Sequence, residues 1–251
     1  MITHSTFASQ FAFAPEHTLH IGVERESFLV KQSEIVPAAF EVLKMLPQPR
    51  FGYELSACQL EDRIGPCQLA QLPNELKRND MLAKEALSLL GLRRLFLEVA
   101  PDSMPLDHYP SKRYDEIVAK ITKERLLAAC QVTGTHVHVG MPDADTAIRV
   151  HSAVIPYTDE LCQMGDHSGG RRLQIYRIMA ADYQPIAWRD WDHFEAYAIE
   201  HDFANDPRSC WHLIRLSVHG TIEFRMFGSP RSNDDVVNWA ERCYSMCRDA
   251  L

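Results

Sequence analysis

An α+β fold is predicted, with a mixed or largely antiparallel sheet, helices packed on one face and a concave polar face opposite. Three observations predict it. Six segments alternate with the period of two that marks half-buried strands, namely 19–30 (LHIGVERESFLV), 51–64, 94–100, 133–139, 211–218 and 220–227. Helical stretches lie between most of them, at 37–46, 73–91, 113–131, 144–164, 191–201 and 233–249. The last two strands are separated only by His219-Gly220, which requires an antiparallel hairpin, so the helices connecting the other strands belong on one side of the sheet.

The chain of 251 residues is read as one domain, 1–251. It contains no internal repeat, and the polar, proline-containing breaks at 47–50, 102–112 and 204–209 divide elements rather than domains. A hydrophobic content of 46% with 24% charged residues suits a globular chain with a real core. The formal charge of −8, from 34 acidic and 26 basic residues, argues against a protein that binds nucleic acid by neutralising phosphates. The N-terminal MITHSTFASQFAFAPEH lacks the pattern of a signal peptide, and no apolar run approaches the ~20 residues of a membrane span, so a cytoplasmic location away from membranes is expected. Seven cysteines without a CxxC pair read as reduced, mostly buried thiols.

Successive side chains of a strand point to opposite faces, so each strand can be sorted in turn. Glu24 and Glu26 share one face of the first strand; Gln59, Glu61 and Arg63 share one in ACQLEDRI; His136 and His138 share one in GTHVHVG; Glu223 and Arg225 share one in TIEFRMF. Their opposite faces are mostly apolar. Four carboxylates, two histidines and two arginines, almost without lysine, are not the usual mixture of a solvated face. Carboxylates so crowded repel one another unless cations compensate, which points to a hard divalent metal, Mg²⁺ or Mn²⁺ rather than Zn²⁺. Arginines on the same concave face point to a phosphorylated ligand beside the metals.

GVERESFLV, ELSACQLE, GTHVHVG and the W…R…GTIEFR hairpin resemble, in order and approximate spacing, the signature strands of the glutamate-cysteine ligase type 2 family of carboxylate-amine ligases, whose fold is that of glutamine synthetase. The resemblance runs from about residue 19 to 245. It implies that Glu24 and Glu26 serve different metals, that Glu54 and Glu61 form a second acidic pair with Gln59 beside the nucleotide, and that His136 and Glu223 hold the metal nearer the transferred phosphate. It also implies Arg225 and Arg215 as nucleotide-phosphate ligands, Arg225 and Glu223 at the chemistry, and Arg172, Tyr176 and Arg177 at the substrate carboxylate. His138, two residues along the strand from His136, is expected to donate a hydrogen bond to phosphate or substrate. The implied reaction uses ATP with Mg²⁺ or Mn²⁺ to activate a carboxylate, glutamate by default, as an acyl phosphate that an amine attacks. Rival readings are a phosphotransferase on a related scaffold and a catalytically silent metabolite-binding relative.

The chain departs from the family pattern in three places. Arg25 stands between the two acids where relatives commonly carry a third, EVAPDSMPLDHYP lacks an expected H-P-F motif, and relatives extend beyond the last helix. Alternation sends Arg25 to the apolar side, away from the metals, and the short C-terminus leaves room for another copy of the chain to help enclose the small-molecule substrates. Other features take plainer readings. WRDWDHFEAY reads as a helix with an apolar stripe, Ser111 as a cap for the helix beginning at Lys112-Arg113, and Gly140 as a strand end where a side chain would block the ligand or the turn.

Overall fold

The computed structural model describes residues 7–251; residues 1–6, the start of the N-terminal stretch read above, lie outside them. Strands β1 (Ile21–Lys31), β2 (Glu34–Ile35), β3 (Phe51–Tyr53), β4 (Gln59–Cys67), β5 (Arg93–Leu95), β6 (Thr135–Gly140), β7 (Ile214–Ser217) and β8 (Thr221–Phe227) form one sheet. Its main path runs β3-β4-β1-β6-β8-β7, with β2 and β5 also paired to β1, and every pairing is antiparallel. The helices are α1 (Ala39–Leu43), α2 (Leu72–Leu89), α3 (Lys112–Val118), α4 (Lys123–Gln131), α5 (Ala144–Val154), α6 (Thr158–Gly165), α7 (Arg171–Met179), α8 (Trp191–Glu200) and α9 (Asn233–Ala250). No helix among the described residues is long and apolar enough to cross a membrane.

Period-two alternation divides the sheet as expected. Ile21, Val23, Ile64, Val137, Val139, Ile214, Leu216, Ile222 and Phe224 enter one buried core, where α2, α5 and α9 supply Leu76, Val150 and Trp239. The other face is walled rather than open, because residues of α3, α4 and α7 line the cavity above it. That face is not polar along its whole length. Two residues beyond Glu26, Phe28 starts a smaller core with Cys58, Met104 and Cys130.

Several expected elements are shorter or divided, each for a local reason. The segment 51–64 splits at Glu54–Cys58, where Ser56 Oγ accepts from Cys58 N and Ser56 O accepts from Gln59 N, turning the chain back on itself. The stretch 94–100 pairs as a strand only to Leu95. The helix expected over 113–131 is two helices, each with its own cap, Ser111 accepting from Tyr114 N and Thr122 from Arg125 N. The one expected over 144–164 breaks at Ile155–Tyr157, where Pro156 has no N–H to continue the ladder.

Arg25 is a charged residue on the apolar face, opposite Asp62, and is fully buried. Its guanidinium donates to both oxygens of Asp62 (2.9 and 2.5 Å), to Asp80 at 2.8 Å and to Asn233 at 2.7 Å, while Arg94 donates to Asp62 at 2.9 Å. The group thereby ties β1, β4, β5, α2 and α9 together beneath the acids on the opposite face. Removing Arg25 leaves the buried Asp62 with Arg94 alone, so Arg25→Met is expected to lower unfolding free energy by about 3 kcal/mol, the lower end for a broken buried ion pair. Urea denaturation checks this, and Arg25→Met combined with Asp62→Leu should recover part of the loss.

Candidate active site

Strand register brings the acids together. Across neighbouring strands, Glu26 faces Glu61, Glu24 faces Arg63 on one side and His136 on the other, and His138 faces Glu223, which faces Arg215. These side chains, with Glu54 from the β3–β4 connection and Arg225 from β8, line one cavity of about 600 Å³. Two sets of ligand atoms lie within 4.8 Å of one another, Glu26–Glu54–Glu61 and Glu24–His138–Glu223.

Each charge in the site has a local cause. Burial pushes Glu223 up, but the guanidiniums of Arg215 and Arg225 reverse this and hold it well below the usual carboxylate range. Arg215 grips it with two hydrogen bonds of 2.8 and 3.0 Å, and Arg225 Nη1 donates to Oε1. Burial likewise raises Glu24, and the hydrogen bond with His136 and the nearby imidazole of His138 bring it well below its ordinary value. The other acidic set is poorly compensated. Burial and then the charges of Glu24 and Glu54 raise Glu61 well above its ordinary value, and burial with the charge of Glu26 pushes Glu54 up to about 7. The shortage of positive charge around these two acids favours their protonated forms, and three oxygen donors so placed could hold a cation. Oxygen donors from three carboxylates suit Mg²⁺ or Mn²⁺.

The expectation gave the metal to His136 and a separate role to His138, but both imidazoles converge on the same acids. His136 Nδ1 lies 3.0 Å from Glu24 Oε2 and 3.9 Å from Glu223 Oε1, while His138 Nε2 lies 3.7 Å from Glu24 Oε2. The register between β6 and β8 slips between Thr135 and Val137, and such a bulge re-aims the side chain beside it. His138 Nδ1 is 2.8 Å from Thr221 Oγ1, and its buried Nε2 has no hydrogen-bond partner.

The expected arginines separate by what already occupies their donors. Arg225 lines the cavity with a buried Nε that has no partner. Arg215, expected on the nucleotide, instead holds Glu223 and the carbonyls of Arg208 and Cys210, so it positions an acid. Arg172, expected on substrate, is buried with its nitrogens donating to the carbonyls of Thr133, Arg225 and Met226; Gly134 makes the approach possible, since a Cβ there would lie 2.2 Å from Nη2. Arg177 is exposed over the Tyr183 ring, one position around α7 from Tyr176, and does not line the cavity. Tyr176 does line it, donating to the Trp211 carbonyl at 2.9 Å. Gln59, expected beside the nucleotide, gives its amide N–H groups to the carbonyls of Cys130 and Val132. Gly140 is required by the chain itself, since a Cβ there would meet the His17 carbonyl at 2.0 Å.

Sequence reasoning assigned no role to the opposite wall, where Tyr114, Ile117, Ile121 and Trp211 are joined by Arg113 and Arg125. Arg113 was read only with the helix cap. The signal available was the spacing of Tyr114, Ile117 and Ile121 on one helical side. A second, more apolar cavity of about 420 Å³ adjoins the first over Gly22, bordered by His17, His20, Gly140, Met141 and Thr221.

The profile of glutamate-cysteine ligase family 2 matches residues 20–158, the stretch that carries Glu24, Glu26, Glu54, Glu61 and both histidines. The chain belongs to glutamate-cysteine ligase family 2. It is 24% identical to the glutamate–cysteine ligase of Natronomonas pharaonis over 93% of its own length and 70% of the relative's. It is 26% identical to a protein of Gloeobacter violaceus named as a glutamate–cysteine ligase 2, over 86% of its length and 64% of that relative's. Among solved structures it resembles apo GmaS (TM-score 0.51, 14% identity, covering 98% of this chain and 56% of that one). It also resembles a bifunctional glutathione synthetase from Pasteurella multocida (TM-score 0.52, 13% identity, 94% and 40%). At these identities the structural likeness bears on fold alone, and it agrees with the glutamine synthetase-like α+β architecture of this family member.

The protons on Glu54 and Glu61 make a prediction. A cation entering Glu26–Glu54–Glu61 must displace them, so Mn²⁺ affinity should rise with pH through about 7. Calorimetry in buffers of different ionisation enthalpy should show release of about one proton or more per cation at pH 6, declining above pH 7. The stability of the metal-free chain runs the opposite way with pH. Without metal, folded Glu54 holds its proton up to about 7 while the unfolded group loses it near the ordinary carboxylate value, so this contribution to stability is lost as pH rises through that window. Glu54→Gln should remove the effect in thermal melts taken in chelator, when compared with the parent at each pH.

Proposed function

We propose that this chain is an ATP-dependent carboxylate-amine ligase acting through an acyl phosphate, with glutamate as the activated acid. The observation that carries the reading is the convergence of five carboxylates, two imidazoles and the Arg225 guanidinium on one walled sheet face, in two ligand sets that share the cavity. The relatives named as glutamate–cysteine ligases support the same chemistry.

In this reading Glu26, Glu54 and Glu61 hold one divalent cation, and Glu24, Glu223 and His138 hold the other. Those cations supply neutralisation of the nucleotide phosphates and polarisation of the phosphoryl group. His138 suits a ligand because Thr221 fixes Nδ1 and leaves Nε2 directed at the acids, as partners of metal-bound imidazoles commonly do. His136 braces Glu24 from the other side. The apolar annex over Gly22 takes the nucleobase, which directs the triphosphate toward the carboxylates. The substrate carboxylate attacks the γ-phosphorus, ADP leaves, and the amine then attacks the acyl carbon with loss of phosphate. Arg225, braced on Glu223 and stacked toward Trp211 at 5.8 Å, offers charge to the oxygens of the transferring group.

ATP consumption with Mg²⁺ across a panel of amino acids and amines, with products weighed by mass spectrometry, tests the reading. An amide together with ADP and phosphate is expected. A stable phosphorylated acid without an amide would make the chain a phosphotransferase, and no ATP turnover with any acid would refute the ligase. Arg225→Ala should lower kcat by about 10²–10³ with a smaller change in KM, and lysine should rescue poorly because it lacks the planar fork. Mn²⁺ titration separates the histidines: His138→Ala should weaken binding more than His136→Ala, and the reverse order would return the ligand role to His136.

A further inference from the structure

The two cavities meet at Glu24, Arg63, His138 and His219, and Arg63 is the only guanidinium common to both among the described residues. Among the described residues it is also the only arginine or lysine lining the annex. Its position on β4 is fixed from both sides of the peptide, since Arg63 N donates to the Arg50 carbonyl at 2.7 Å and Arg63 O accepts from Asn79 Nδ2 at 3.1 Å. The side chain is fixed as well. Nε donates to Glu61 Oε1, and the guanidinium lies flat on Gly52, where a Cβ would come 2.5 Å from Cζ and Nη2 and 3.0 Å from Nη1. Pinned through Nε, the side chain remains 45% exposed, and among the described residues its Nη atoms have no hydrogen-bond partner.

A guanidinium with one edge anchored and the other edge open is a prepared acceptor site for a phosphate, able to form a planar bidentate contact with little loss of side-chain freedom. We propose that Arg63 holds the non-transferred phosphates of the nucleotide at the neck between the cavities and thereby sets affinity for di- and triphosphates over the bare nucleoside. This rests on the nucleotide reading above. It assigns Arg63 a task different from that of Arg225. Arg225 lies among the groups around the transferring phosphoryl, whereas Arg63 stands between them and the nucleobase annex, where the α- and β-phosphates must pass. Gly52 is part of the same device, because any side chain there would displace the guanidinium.

Binding, rather than turnover, tests it. Dissociation constants for ADP and for adenosine are measured by calorimetry in the presence of Mn²⁺ for the parent, Arg63→Ala and Gly52→Val. Loss of charge-assisted hydrogen bonds to phosphate should weaken ADP binding about 10- to 100-fold in Arg63→Ala. Adenosine binding should stay within about twofold, which also reports that the variant is folded. Gly52→Val, which keeps the charge but displaces it, should reproduce part of the ADP loss. Unchanged ADP binding in Arg63→Ala, or equal weakening of ADP and adenosine, would overturn the assignment while leaving the nucleotide reading intact. Failure of the parent protein to bind either compound would overturn both.

Discussion

Glu24, Glu26, Glu54, Glu61 and Glu223 line one cavity, and two bare charges 4 Å apart repel by about 4 kcal/mol in a partly shielded protein environment. Five of them inside a walled cavity would oppose folding unless compensated, and much of the surrounding structure supplies the compensation. Near β8 the chain does so with its own cations: Arg215 and Arg225 on Glu223, and the two imidazoles on Glu24. Near β4 it offers only Arg63, and the remaining deficit appears as protons on Glu54 and Glu61. The imbalance distinguishes the two halves of the site. One half is compensated by the chain's own cations, and the other is not.

A sheet that concentrates charge on one face needs a rigid backing, and here the backing carries a charge network of its own. Arg25 stands between Glu24 and Glu26 in sequence yet points to the opposite side, where Asp62 stands in the same relation to Glu61 and Arg63. Opposed residues on β1 and β4 therefore form two stacked electrostatic layers separated by one backbone thickness. The lower layer ties the strands to α2 and α9 through Asp80 and Asn233, so movement of the acids is resisted from beneath. The upper layer can then be tuned for ligands without also having to hold the sheet together.

The division of the strands was legible in the sequence because it depends only on alternation, and Glu24, Glu26, Glu61, Glu223 and both histidines followed from it at once. Glu54 lies on a connection, and only the family resemblance pointed to it. Alternation failed to separate the histidines' surroundings, since a slip in register beside His136 depends on how β8 pairs and leaves no mark in GTHVHVG. The divided helices were partly legible, since Pro156 and Thr122 are visible stop and start signals within an otherwise continuous apolar period. The wall formed by Tyr114, Ile117, Ile121 and Trp211 was not, because its elements approach the sheet from distant parts of the chain.

Arginines were the least legible residues, and the reason is general. A guanidinium has five N–H donors, and its role is decided by how many of them the protein itself occupies. Arg172 has donors on three carbonyls from β8 and the chain entering β6, so it fastens the floor of the site. Arg215 divides its donors between Glu223 and two carbonyls, and so aims an acid. Arg225 keeps an unpartnered Nε, and Arg63 keeps its Nη edge open. All four stand in similar polar contexts in the sequence, but Arg172 and Arg215 spend three and four of those donors on the protein, whereas Arg63 and Arg225 each give a hydrogen bond to a neighbouring glutamate. The difference lies in how far the chain's own hydrogen bonds hold each guanidinium, and the residues that accept them come from distant parts of the chain as well as from the same strand.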